Sequence, residues 1–330
     1  MEAFDIPIVI FFFKRTEKTV QIVREIAKVK PQKIYLISDG ARNEEEAKIV
    51  NECRHLVEKE IFWDCEIIKN YAETNQGVYN RIAEGSLWVF SQEDLAIFLE
   101  DDNLPEISFF PFCKELLEKY KHDSRVLWIC GTNYLKQYHP LDGASYVFTQ
   151  HMLPCGWASW ADKFTKFYDG KLELWKNNDV KKKIDFSYSD KKLMRQDMIS
   201  WDMESERIEK SLKPISWDYQ MSFSIRAHGL YGIVPKYNQI RNIGVDAFST
   251  HGGSSLSFEM TKRFCELETK KMKFPLVHPK VILCDPEFET RTGKIILYPL
   301  KVRLRRDFSI LIKKIFRLDK SFELKKIFSK

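Results

Sequence analysis

Through the first third of the chain, short apolar runs alternate with longer charge-rich segments. The runs at 6–13, 33–38, 65–69, 95–100 and 126–130 are rich in β-branched and aromatic residues, which predicts strands. Between them, residues 18–28, 44–61, 78–89 and 108–121 place apolar side chains at i, i+3 and i+4, the spacing of amphipathic helices. Such alternation predicts an α/β fold with a mostly parallel central sheet flanked by helices. After Asp142 the pattern loosens into aromatic, glycine-punctuated segments, including 155–160 and 197–213, read as loops and helices. A short strand at 230–234 is expected to rejoin the sheet.

The tail is different in kind. Phe308, Leu311, Ile312, Ile315, Leu318 and Phe322 recur at helical spacing opposite Lys313, Lys314, Arg317 and Lys320, predicting a C-terminal amphipathic basic helix. Residues 301–330 hold eleven Lys or Arg against three acids, a net of +8, whereas the whole chain carries +6. The body before the tail is therefore slightly acidic, which argues against a nucleic-acid binder. A basic amphipathic tail instead suits an anionic membrane surface.

Other features narrow the class. The seven cysteines are scattered with no CxxC pair, so reduced, buried thiols are expected rather than disulfides or a zinc site. No apolar run approaches the roughly 20 residues of a membrane span. The flank Met1–Asp5 carries acid where a secretory signal would carry base, so a cytoplasmic chain is expected, peripheral on the inner face of the membrane through its tail. The 13 glycines form neither G-x-G-x-x-G nor a P-loop, so phosphate charge has to be met by other means.

The sharpest chemical signal is Leu95-Ala96-Ile97-Phe98-Leu99-Glu100-Asp101-Asp102, a buried-type strand running into three consecutive carboxylates. Ligands of α/β sheets bind outside the carboxyl ends of the strands, where three acids repel one another unless a cation intervenes. Mg²⁺ or Mn²⁺, which takes one or two carboxylates together with substrate phosphates, would relieve that repulsion.

This strand and its acids resemble the DxD element of GT-A glycosyltransferases, and in particular the N-acetylglucosaminyltransferase I group and its bacterial relatives. Further segments fit in the same order between residues 6 and 251: Ile8-Val9-Ile10 leading to Lys14-Arg15, Ile37-Ser38-Asp39-Gly40, Arg81-Ile82-Ala83-Glu84-Gly85 and Ser216-Trp217-Asp218-Tyr219. The resemblance implies a GT-A nucleotide-diphospho-sugar transferase fold, with a donor half at 1–140, an acceptor and catalytic half at 141–290 and the tail at 291–330. It makes Asp102 the metal carboxylate, with Glu100 and Asp101 supporting the donor. Arg15 would meet the diphosphate, and Asp39 the base. Asn75, Gly77 and Arg81 would face the nucleotide, Trp157 the donor sugar. A late His251 would complete the metal shell, and Asp218 would be the base that deprotonates the acceptor hydroxyl. Where the family has a histidine near Tyr79 this chain has none, so uracil and thymine both stay open, with a UDP-linked donor expected.

The function implied is an inverting, metal-dependent transfer of a hexose or N-acetylhexosamine to an acceptor hydroxyl. The acceptor would be a glycan or lipid-linked glycan, in surface polysaccharide or glycolipid assembly. Two alternatives stand beside it. One is a sugar-nucleotide nucleotidyltransferase, which usually opens with a glycine-rich basic loop that Phe11-Phe12-Phe13-Lys14-Arg15-Thr16 does not provide. The other is a catalytically silent sugar-binding domain.

Overall fold

The computed structural model describes residues 4–246, 255–319 and 322. Its strands are β1 Ile8–Phe12, β2 Lys33–Ser38, β3 Glu66–Tyr71, β4 Leu95–Glu100, β5 Asn103–Pro105, β6 Val126–Cys130, β7 Tyr146–Thr149, β8 Trp157–Trp160, β9 Tyr231–Pro235 and β10 Ile240–Asn242. Its helices are α1 Thr16–Ala27, α2 Glu44–Lys59, α3 Gly85–Phe90, α4 Phe109–Lys119, α5 Ala161–Phe167, α6 Asn178–Ser187, α7 Lys191–Glu209, α8 Asp218–Ala227, α9 Glu259–Phe264, α10 Pro286–Ile296 and α11 Leu300–Ile315. A π-helical turn at Asn80–Glu84 leads directly into α3.

Eight strands form one sheet in the order β3-β2-β1-β4-β8-β6-β9-β7. β3, β2, β1, β4, β6 and β9 run one way; β8 and β7 run the other. The fold is thus α/β with a mostly parallel sheet flanked by helices, as the alternation predicts. The two reversed strands are not anticipated by it. Residues 157–160, read as loop or helix, form β8 and lie fully buried between β4 and β6. The predicted strand at 230–234 is β9, parallel to β6.

Side-chain alternation along β1 divides the core. Ile8, Ile10 and Phe12 face a cluster with Ile22, Val23 and Ile26 of α1 and Leu116 of α4. Val9 and Phe11 face the other layer, with Ile82, Val89, Phe164 and Met221. On that second face four rings stack across four strands. Phe11 lies 6.0 Å from Phe98, Phe98 is 3.9 Å from Trp157, and Trp157 is 4.2 Å from Trp128, with neighbouring planes within 19° of parallel. A third cluster around Trp175, Trp201 and Phe223 packs α6, α7 and α8 together. Among the described residues no helix is long and apolar enough to cross a membrane.

Candidate active site

The order of strands fixes where a ligand can lie. From β1 the chain proceeds outward through β2 and β3, then crosses back to place β4 on the other side of β1. A crevice opens at such a switch point, outside the carboxyl ends of the two central strands. Into it β1 delivers Phe13, Lys14 and Arg15, while β4 delivers Glu100, Asp101 and Asp102, level with each other through the Phe11–Glu100 register.

Arg15 is the hub of this crevice. Its Nη1 donates to Asp101 Oδ1 at 2.8 Å and to Asp102 Oδ2 at 3.1 Å. The backbone N–H of Phe13 donates to Asp101 Oδ2 at 3.2 Å. Asp102 is also pinned from the far side. β5 pairs with β10, and just beyond that pairing the Ile243 N–H donates to the Asp102 carbonyl at 2.8 Å. Asn103 Nδ2 donates to Asp102 Oδ1 at 2.6 Å, while Asn103 Oδ1 accepts from the Gly156 N–H at 2.7 Å. Gly244 then passes so close that a Cβ there would stand 2.4 Å from Asp102 Oδ2. Two residues on, Asp246 pairs with Lys18 and lies 3.3 Å from Arg15 Nε.

Charge is out of balance here. Glu100, Asp101, Asp102 and Asp246 gather around Arg15 and Lys18. Burial pushes Asp101 up to about 6 in spite of Arg15, and raises Asp102 as well. Glu100 is held well above the usual carboxylate range, by burial first and then by Asp102, Asp101 and Asp218. Burial opposes the charge on Arg15, but Asp101 and Asp102 more than compensate and hold its guanidinium above the ordinary value. Among the described residues no group of three or more His, Cys, Asp or Glu side chains is arranged to enclose a metal ion. One or two oxygen ligands at an open, over-negative crevice nevertheless suit a hard divalent cation that completes its shell with phosphate.

Asp218 opens α8. Ser216 Oγ donates to its Oδ1 and accepts from the Tyr219 N–H at 3.1 Å, which holds the carboxylate at the helix start. The charge of Asp218 reaches Glu100, and also the phenols of the partly buried Tyr134 and Tyr168, whose own values desolvation raises well above normal. The structure therefore brings Asp218 toward the carboxylates at the end of β4.

The residues expected around the nucleotide divide into two groups. Asp39 is 8% exposed, and its carboxylate accepts from the N–H groups of Gly40 at 2.8 Å, Gln76 at 2.8 Å and Gly77 at 3.0 Å, and from Asn75 Nδ2 at 2.9 Å. It thus locks the 75–77 loop against the end of β2, with Gly77 in the left-handed region at φ +85°. Arg81, on the π-helical turn, donates to the Asn70 carbonyl at 2.7 Å and to Asn70 Oδ1 at 3.0 Å, while its buried Nε has no acceptor. It lines an open cleft of about 570 Å³ with Thr74, Gln76, Asn80 and Glu84.

The aromatic expectation at Trp157 meets a different placement, and its neighbour Trp217 shares it. Trp157 is 1% exposed in the ring stack between Phe98 and Trp128, and Trp217 is also buried, 5.7 Å from Trp157. Both rings fill the core rather than face the crevice. His251 lies outside the described residues. Sequence reasoning passed over Lys18 and the two residues that frame Asp102, Asn103 and Gly244. For Lys18 the signal was its place one turn after Arg15; for the others only the β5–β10 pairing reveals it.

No family profile and no curated protein matches the chain. Among solved structures it is similar to TarS of S. aureus, at 10% identity and a TM-score of 0.37, over 72% of this chain and 59% of that one. It is also similar to a mannosyltransferase of Pyrobaculum calidifontis in complex with GDP-Man and Mn²⁺, at 9% identity and a TM-score of 0.37, over 68% and 70% of the two chains. A UDP-glucose pyrophosphorylase complexed with UDP-glucose shows 9% identity and a TM-score of 0.35, over 72% and 93%.

Proposed function

We propose that this chain is a metal-dependent glycosyltransferase that moves a sugar from a nucleotide diphosphate donor to an acceptor hydroxyl. One observation carries the reading. Arg15, Asp101 and Asp102 interlock at the switch point of the sheet, and the charge of Asp218 reaches the same cluster from the start of α8. Asp102, with Asp101 beside it, would hold Mn²⁺ or Mg²⁺, which when bound supplies positive charge to the leaving diphosphate. Arg15 sits between those carboxylates with its Nε facing Asp246, so a phosphate entering the crevice finds a guanidinium already desolvated and aimed. The 75–77 loop, locked by Asp39, and Arg81 would form the nucleotide side, with Glu100 at the donor sugar.

Asp218 would accept the proton of the acceptor hydroxyl, held in place by Ser216. A single displacement from the face opposite the diphosphate inverts the anomeric carbon and needs no covalent intermediate. A UDP-linked donor is favoured, the transferred group being a hexose or N-acetylhexosamine. The acceptor is a glycan or lipid-linked glycan of surface polysaccharide or glycolipid assembly, met at an anionic membrane surface through the C-terminal helix. The protein would work on the cytoplasmic side, with residues 1–140 and 141–290 as the donor and acceptor halves and His251 as a further metal ligand.

The test is hydrolysis of a panel of nucleotide sugars by pure protein with and without Mn²⁺, alongside Asp102→Asn. The expected result is metal-dependent release of nucleoside diphosphate that the variant loses while still folded. Full turnover in EDTA, or by Asp102→Asn, would refute the reading. Pyrophosphate release from a nucleoside triphosphate and a sugar phosphate would instead identify a nucleotidyltransferase.

A further inference from the structure

The last helix turns the wrong way for a helix that packs on a core. α11 spans Leu300–Ile315, and none of its residues is buried. It meets the body through polar groups. Arg303 Nε donates to the Tyr298 carbonyl at 3.0 Å, and the Arg306 guanidinium lies 5.5 Å from the Tyr298 ring. Asp307 pairs with Arg195 of α7 at 3.2 Å, and just past the helix Asp319 pairs with Lys210 at 2.6 Å.

Beside these contacts Leu300, Leu304, Phe308, Leu311 and Ile315 form one stripe at helical spacing and are 52% to 65% exposed. An amphipathic surface helix normally turns such a stripe inward. Here exposed cations border it instead, Lys301 and Arg305 along one edge and Lys314 along the other, with Arg317 beyond the end. That arrangement matches the boundary of an anionic bilayer. Apolar side chains enter between the headgroups while ammonium and guanidinium groups reach the phosphates on flexible stems.

We propose that the outward face of α11 is a membrane-docking surface fixed to the folded body, and that its partner is an anionic lipid bilayer. The proposal rests on the functional reading above only for its purpose, presenting a lipid-linked acceptor. The Tyr298 N–H, just before α11, donates to Gln196 Oε1 of α7 at 2.8 Å, and Trp201 Nε1 of the same helix donates to the carbonyl of Tyr219, the residue after Asp218, at 3.0 Å. Docking the stripe would therefore set the start of α8 at a defined orientation to the bilayer, which a loose tether would not do.

The experiment is vesicle co-sedimentation of the full chain without donor or acceptor, using phosphatidylcholine vesicles with and without phosphatidylglycerol. Binding is expected to require the anionic lipid and to weaken with salt. Leu304→Asp/Phe308→Asp should lower partitioning more than tenfold with an unchanged melting temperature. Replacing Lys301, Arg305 and Lys314 with Gln should lower it on the order of 100-fold, at about fivefold per charge. Val302→Asp/Ile310→Asp, off the stripe and less exposed at 42% and 36%, should lower it clearly less than the stripe pair does. Equal binding to neutral vesicles, equal loss from the two Asp pairs, or self-association without vesicle binding would each overturn the proposal. Donor hydrolysis is read without vesicles, so failure here removes the membrane encounter and leaves the transfer chemistry standing, and the reverse also holds.

Discussion

Glu204 is a fully buried carboxyl on α7 that faces the segment leading to Asp218. The Ile215 N–H points at it, 3.1 Å from Oε2, and Gln220 Nε2 lies 3.5 Å away. These partners do not offset its desolvation, which pushes the group up to about 7 from the usual 4.5. The folded state thus prefers the proton more than the unfolded chain does. The associated stability is fully present below about 4.5 and is lost as pH rises through about 7. At pH 8 the ionised group costs roughly 3 kcal/mol relative to a neutral isostere. Gln220 supplies a second reason to favour the neutral form. Its buried Oε1 has no donor, and with its amide turned over it would accept from a protonated Glu204 or from a glutamine there.

Glu204→Gln should therefore stabilise the protein at pH 8 by up to about 3 kcal/mol, or roughly 5 °C in melting temperature for a chain of this size. At pH 5, where Glu204 already carries its proton, the two proteins should melt nearly together. Scanning calorimetry of parent and variant at both pH values isolates this group, because every other titration is common to the pair. A difference of the same size at both pH values, or a variant less stable at pH 8, would refute the argument.

Three further outcomes are expected. Trp157→Ala should cost about 3–5 kcal/mol in denaturant unfolding by emptying the ring stack, with nucleotide-sugar affinity of the folded protein unchanged; selective loss of affinity would place the ring at the donor instead. Gly244→Ala should weaken Mn²⁺ binding by calorimetry without lowering the melting temperature much, since its Cβ would stand 2.4 Å from Asp102 Oδ2, and unaltered metal affinity would show that this oxygen is not a ligand. Asp218→Asn should lower turnover by about 10²–10⁴-fold with donor and metal binding nearly intact. If donor binding falls as far as turnover, Asp218 contacts the donor, and if turnover survives, Asp246 and Asp202 become the bases to test.

How much of this was legible in the chain depends on the range of the interactions involved. The parallel strands and their helices could be read locally, because period and composition are properties of short windows. The end of β4 was legible for the same reason: three acids after a buried run are conspicuous wherever they occur. β8 was not. Gly156-Trp157-Ala158-Ser159-Trp160 is buried on both faces, so it has no alternation to reveal a strand, and its tryptophans look alike whether they meet a sugar or another ring. Only the register that stacks Trp157 between Phe98 and Trp128 decides the matter.

Asp39 makes the same point from the polar side. An Asp-Gly at a strand end can serve a ligand or a turn, and local sequence does not distinguish them. What distinguishes them is a loop 36 residues away whose donors converge on the carboxylate. That convergence changes what Asp39 can do. With four donors already on its oxygens, Asp39 would, on the reading proposed above, serve a nucleotide only by holding Gln76 and Gly77 in place, acting through the loop it locks. Loss of Asp39 would accordingly be felt as disorder in that loop, whichever base the nucleotide carries. On that reading the base would be chosen by groups beside the loop and the turn that follows it, where Gln76 and Arg81 line the open cleft.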